Sequence, residues 1–175
     1  MMFAMNTNDT FQIDTILFDL NGSLAHYGKI PGKVRRKLRK LTQWGYQVVI
    51  ISSDQRGNAS STARKMGIEF IQASTRNEKQ RVAERYNKKT TAAVGNGRVD
   101  IGLFDQAILS VAIIGKEGCH SEVIQQADVV FSKTLEALEF FWITLKTCGL
   151  IKIRHIFLLP YIEKNKYHLR LLMLL

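Results

Sequence analysis

Short apolar runs alternate along the chain with longer stretches whose apolar residues recur every three or four positions. The runs are Ile16-Leu17-Phe18, then 47–51, 68–71, 90–94, 109–114 and 128–131. Continuous apolar runs of this length, rich in β-branched residues and bounded by Gly, Ser, Asn or Asp, predict strands buried on both faces. Between them, 32–44 predicts an amphipathic helix with Val34, Leu38 and Leu41 inward, stopped by Gly45. Further helices are expected over 58–66, closed by Gly67, and over 77–86, 99–107, 118–126 and 135–145. Strands alternating with helices through short connections specify an α/β architecture, a doubly wound parallel sheet with helices on both faces. The alternation leaves the order of the strands open.

Composition narrows the class. A chain of 175 residues with 46% hydrophobic and 23% charged residues makes one globular domain, and two prolines argue against long linkers. The pattern places that domain at 13–147, after a flexible segment 1–12. It leaves 148–175, where Ile151, Ile153, Ile156 and Phe157 mix with Lys164, Lys166 and Arg170, as an apolar and basic tail. Such a tail lies on an anionic membrane, packs into a partner or folds back over the sheet. No apolar run reaches the length of a membrane span. Cys119 and Cys148 lack metal or redox spacing, and 1–10 lacks a secretory pattern, so a cytoplasmic protein is expected.

A net charge of +10 attracts phosphates and other polyanions. Much of it is local, in Lys29, Lys33, Arg35, Arg36, Lys37, Arg39 and Lys40. This run serves either as a funnel for a phosphorylated ligand or as the solvated face of the first helix. Binding of nucleic acid has no recognition motif behind it.

Candidate chemistry gathers where strands end. Asp19, Asn21 and Gly22 follow the first strand, Ser52 and Ser53 end the second, Lys79 sits on the helix before the fourth, and Asn96 and Asp100 follow the fourth. All strands of a parallel sheet end on one rim, so residues distant in sequence converge there. Separately, each has an ordinary reading as a turn, a cap or a surface lysine. Together they form a phosphoryl-transfer set. Asp19 is the nucleophile, Ser52 and Lys79 hold phosphate oxygens, and Asp100 with the main-chain oxygen of Asn21 offers oxygens to a hard cation.

The motifs Phe18-Asp19-Leu20-Asn21-Gly22-Ser23-Leu24, Ile50-Ile51-Ser52-Ser53-Asp54, Lys79 and Gly95-Asn96-Gly97-Arg98-Val99-Asp100 resemble those of the haloacid dehalogenase (HAD) superfamily. Within it, 19–25, 95–98 and Glu117-Gly118 are similar to the soluble P-type ATPase-like group. The resemblance covers roughly 14–145. It implies a Rossmann-like (HAD-like) fold, Mg2+, and an aspartyl-phosphate intermediate on Asp19. It also implies a phosphate site of Gly22, Ser52, Ser53 and Lys79, and a metal site of Asp19, Asn21, Asn96 and Asp100.

Two positions depart from the pattern. Asn21 stands where most phosphatases of the superfamily carry the acid-base aspartate, and Asn96 replaces an acidic metal ligand. A slow Mg2+-dependent phosphohydrolase or phosphotransferase is therefore expected, with a catalytically impaired phosphate-binding or regulatory protein as the alternative. The spacing between motifs leaves no room for a cap domain. An open site suits a large phosphorylated substrate, or a small one enclosed by a neighbouring subunit.

Overall fold

The computed structural model describes residues 10–53, 58–148 and 151–152. Thr10–Phe11 (β1) pairs antiparallel with Ile151–Lys152 (β8). The main sheet is built from the apolar runs: Thr15–Asp19 (β2), Gln47–Ser52 (β3), Glu69–Gln72 (β4), Thr91–Gly95 (β5), Leu109–Ile113 (β6) and Val129–Phe131 (β7). Its order is β4-β3-β2-β5-β6-β7, and all neighbours are parallel. The chain leaves β2 toward one edge and returns to β5 for the other, so the order reverses between β2 and β5. At such a reversal the helices on either side diverge and leave a crevice at the carboxyl ends of the strands.

The two-residue period of the strands divides the core. Ile16, Phe18, Val48, Ile50, Val94, Val111 and Ile113 face one side. There they meet Gly32–Gln43 (α1), Asn58–Met66 (α2) and Thr134–Cys148 (α6) through Leu38, Leu41, Ala63, Leu138 and Phe141. Leu17, Val49, Ile51, Ala93 and Ala112 point the other way, onto Val82, Ile101, Leu103 and Val123 of Arg76–Ala83 (α3), Ile101–Phe104 (α4) and Ser121–Gln126 (α5). Both faces of the central strands are dry, which is why their sequences run apolar without alternation. On α1 the expected Val34, Leu38 and Leu41 are buried, and Lys37 on its outer side pairs with Glu139 of α6 at 2.9 Å.

Several expected boundaries move, three of them for a visible reason. The helix expected over 99–107 is a 3-10 turn, Arg98–Asp100, running into the four-residue α4, because Asp100 turns its carboxylate back onto the preceding loop. The helix expected from 118 begins at Ser121, where the His120 ring caps it by accepting from the Glu122 N–H. The strand expected from 68 begins at Glu69, since the Ile68 N–H still bonds to Ala63 beyond Gly67, whose φ is +69°.

Most of 1–12 and 148–175 lies outside the described residues. Among those described, no helix is long and apolar enough to cross a membrane.

Residues 151–152 pair with β1, whereas both core clusters, among the described residues, are assembled from residues 13–141. Truncation after Cys148 is therefore expected to preserve a single cooperative thermal transition, read by circular dichroism. A broad, non-cooperative melt would show that the tail covers core.

Candidate active site

Asp19 is the last residue of β2 and faces the crevice from its floor. Across it, α3 presents Lys79. That helix starts where it does because Thr75 accepts the Glu78 N–H at 3.2 Å while Glu78 accepts the Thr75 N–H at 3.0 Å, a reciprocal cap. Fixed in this way, α3 turns Lys79 inward, and the residue is only 2% exposed. Its Nζ donates to Asp19 Oδ1 at 2.7 Å and to Asp100 Oδ1 at 2.5 Å. The other oxygen of Asp100 accepts the N–H groups of Asn96 and Gly97 at 2.9 and 2.8 Å.

Two glycines make this possible. A Cβ at Gly95 would lie 2.7 Å from Asp100 Cγ, and one at Gly102 would run into the main chain of α3 at Arg76, 3.1 Å from Gln80 N. Gly102 thus lets α4 approach the helix that carries Lys79. Sequence reasoning missed it, although a glycine inside an apolar helical stretch was the available signal.

The three charges sum to about −1 in a nearly water-free pocket, and their protonation follows from that. Burial pushes the Asp19 carboxyl up to about 7, the Asp100 charge adds to the rise, and the attraction of Lys79 does not cancel them. Burial alone would lower Lys79, but Asp19 and Asp100 outweigh it and hold the ammonium above its ordinary value.

Ser52, at the end of β3, stands one position beyond Ile51, the partner of Asp19 across the ladder. Its Oγ is buried and has no hydrogen-bond partner. Such an orphaned hydroxyl is rare in a folded interior and is left open to a partner from outside the fold. Ser53 is exposed on the rim beside it.

Gly22 has φ +81°, and a Cβ there would sit 2.8 Å from Asn96 Cγ. The Asn96 amide is engaged at both ends: Oδ1 accepts from Ser23 Oγ at 3.2 Å and Nδ2 donates to the Gly118 carbonyl at 3.0 Å. It ties the loop after β2 to the loop after β6. The Ser23 carbonyl accepts from Thr134 Oγ1 at 2.5 Å, which anchors the same loop to α6.

The structure therefore joins Asp19, Lys79 and Asp100 by hydrogen bonds and sets Ser52 at the end of the neighbouring strand. Asn96 and Gly22 pack beside it as a fastener. Asn21 is exposed at the rim, where its backbone bridges to Ala25.

Among the described residues, no three His, Cys, Asp or Glu side chains gather as a metal cluster. The donors at hand are the Asp19 and Asp100 carboxylates with neutral oxygens of Asn21 and Asn96. That hard but charge-poor set, with Asn96 Oδ1 shared with Ser23, fits a divalent cation.

No protein-family profile and no curated protein matches the chain. Solved structures do. A protein from Legionella pneumophila described as a HAD superfamily (subfamily III A) hydrolase is 18% identical, with a TM-score of 0.66 over 77% of this chain and 84% of that one. The 3-deoxy-D-manno-octulosonate 8-phosphate phosphatase of Moraxella catarrhalis, solved with magnesium, phosphate and KDO, is 17% identical, with a TM-score of 0.64 over 77% and 86%. A phosphoserine phosphatase in its apo form is 16% identical, with a TM-score of 0.61 over 74% and 99%. The chain has the HAD hydrolase fold.

Two outcomes test the electrostatics. Native Asp19 holds its proton up to about pH 7, whereas the unfolded chain releases it near 3.8. Between those values the native state binds more protons, so stability falls as pH rises and levels off above 7. Asp19→Asn removes that loss. In chelator at pH 8 its Tm is expected to exceed wild type by roughly 2–8 °C, corresponding to about 1–2 kcal/mol, with the gain gone near pH 4. An equal shift at both pH values would refute the desolvated carboxylate.

Ser52→Ala gives up no hydrogen bond, so its urea midpoint is expected to match or exceed wild type. A loss beyond about 1 kcal/mol would show that the hydroxyl has a partner within the fold.

Proposed function

We propose that the chain is a Mg2+-dependent phosphohydrolase or phosphotransferase that acts on phosphate esters or acid anhydrides through an aspartyl-phosphate on Asp19. The observation that carries this reading is the buried Asp19–Lys79–Asp100 arrangement with the orphaned Ser52 hydroxyl beside it. A buried lysine held between two carboxylates contributes little net stability, because desolvation offsets the attraction. Such arrangements are kept where chemistry uses them.

In the proposed reaction a carboxylate oxygen of Asp19 attacks phosphorus while the bond to the leaving oxygen breaks. Lys79 Nζ and Ser52 Oγ donate to the phosphoryl oxygens and offset the charge that builds there. Asp100 keeps Lys79 protonated and aimed. Asp19, the Asn21 main chain, Asn96 and Asp100 are the candidates to hold Mg2+, which when bound supplies further positive charge to the phosphoryl group.

The substitution at 21 sets the character of the catalyst. An amide neither protonates a departing alkoxide nor takes a proton from water, and loss of such a group costs roughly 10² to 10⁴ in rate. Good leaving groups such as acyl phosphates are then the better substrates, and the aspartyl-phosphate persists.

A second reading has its own observation. Both ends of the Asn96 amide are engaged with Ser23 and Gly118, which favours a scaffold that binds phosphate with negligible turnover.

One experiment separates the two. Incubation with labelled acetyl phosphate and Mg2+, followed by an acid quench, is expected to give a label that hydroxylamine removes and that Asp19→Asn abolishes. Asn21→Asp is expected to speed loss of the label about 10²-fold. Binding of inorganic phosphate without any label would establish the second reading instead.

A further inference from the structure

Beside the proposed phosphoryl centre lies a cleft of about 580 Å³. One wall comes from residues 20–30 and α1, the other from α2. It starts at Leu20 and Asn21, the two residues that follow Asp19 in the chain. We propose that this cleft holds the part of the substrate that is not transferred. We further propose that it selects small phosphate esters whose alcohol portion carries a second anionic group, a carboxylate or a further phosphate. The proposal rests on the phosphoryl-transfer reading of Asp19 and adds its substrate class.

Charge carries the argument. Lys29 and Arg35, from different elements, both line the cleft, and among the described residues no acidic one does. Neither cation has an ion pair among the described residues, although Lys37 on the same helix as Arg35 is paired with Glu139. Two cations without an ion pair among the described residues, with hydroxyl-bearing Ser61 and Thr62 in the same lining, suit an anion. The volume falls within the range of small-molecule sites.

The lip supplies a second observation. His26 and Lys29 exchange two backbone hydrogen bonds, at 3.1 and 3.0 Å, around a two-residue turn. Both central residues have positive φ, 50° at Tyr27 and 75° at Gly28. This turn type suits Asn-Gly, and a tyrosine in that conformation is strained. Tyr27 is nevertheless there, 84% exposed and lining the cleft, with its N–H fixed by Glu117 at 2.8 Å. Strain retained together with an exposed ring marks a residue kept for contact with a ligand.

The test compares kcat/KM for 3-phosphoglycerate, with its carboxylate, fructose 1,6-bisphosphate, with its second phosphate, and glycerol 3-phosphate, whose alcohol portion is neutral. One or both of the first two are expected to exceed the third by about tenfold, the ratio one charge-assisted contact carries. Whichever does identifies the anion. Arg35→Gln and Lys29→Gln are expected to bring that ratio toward unity through KM, whereas Lys65→Gln, on the exposed side of α2, leaves it intact. Equal values for all three substrates, or a ratio indifferent to Arg35 and Lys29, would overturn the proposal.

Asp19-dependent turnover of p-nitrophenyl phosphate reports the phosphoryl centre separately. If that turnover is absent, the functional reading fails, and calorimetric binding of the same three compounds judges the cleft alone. Preference for an anionic compound that is lost in Arg35→Gln supports it, and equal affinities overturn it.

Discussion

The Lys79 ammonium is the group on which the crevice depends. Two carboxylates drawn into a dry pocket repel each other and lose their hydration, and neither loss is recovered unless a positive charge stands between them. Lys79 provides it, with one hydrogen bond to each. Its own position is inherited from parts that carry no charge: the reciprocal cap at Thr75 and Glu78, the apolar seating of Val82 and Ala83, and the absence of a side chain at Gly102. The polar centre is thus assembled by helix placement, and a change in the spacing of α3 and α4 reaches Asp19 through Lys79.

This dependence explains what was legible in the sequence. Runs such as Ile16-Leu17-Phe18 and the glycines after helices specify strands and stops by local rules, and the six main strands fall where those rules place them. Convergence of Asp19, Ser52, Lys79 and Asp100 was legible too, because every parallel strand ends on the same rim. The depth of Lys79 was not. The pattern of its helix turns Val82 and Ala83 inward, as they are, but leaves Lys79, Arg81 and Arg85 equally fit for rim or solvent. Only the packing of α3 against α4 selects among them. Strand order was closed to the sequence for the same reason, since it is decided by contacts between distant segments.

The basic run from Lys29 to Lys40 shows how one-dimensional charge misleads. Read along the chain it is a single feature, either a funnel or a solvated helix face. In space it divides: Lys29 and Arg35 turn toward the cleft beside Asn21, Lys37 reaches Glu139, and Lys40 lies 5.6 Å over the ring of Trp142. The two readings describe different members of the run.

Asn96 carries a consequence of its own. Because a neutral amide fastens the loops after β2, β5 and β6 together, that fastening carries no charge to titrate and calls for no bound cation. A carboxylate in that place could not donate to the Gly118 carbonyl, and the loops would then lean on the metal for their order. Here the entropy of ordering is met once, during folding, so under the proposed function a cation or phosphate would meet a crevice already shaped, and its exchange would call for no remodelling of the backbone.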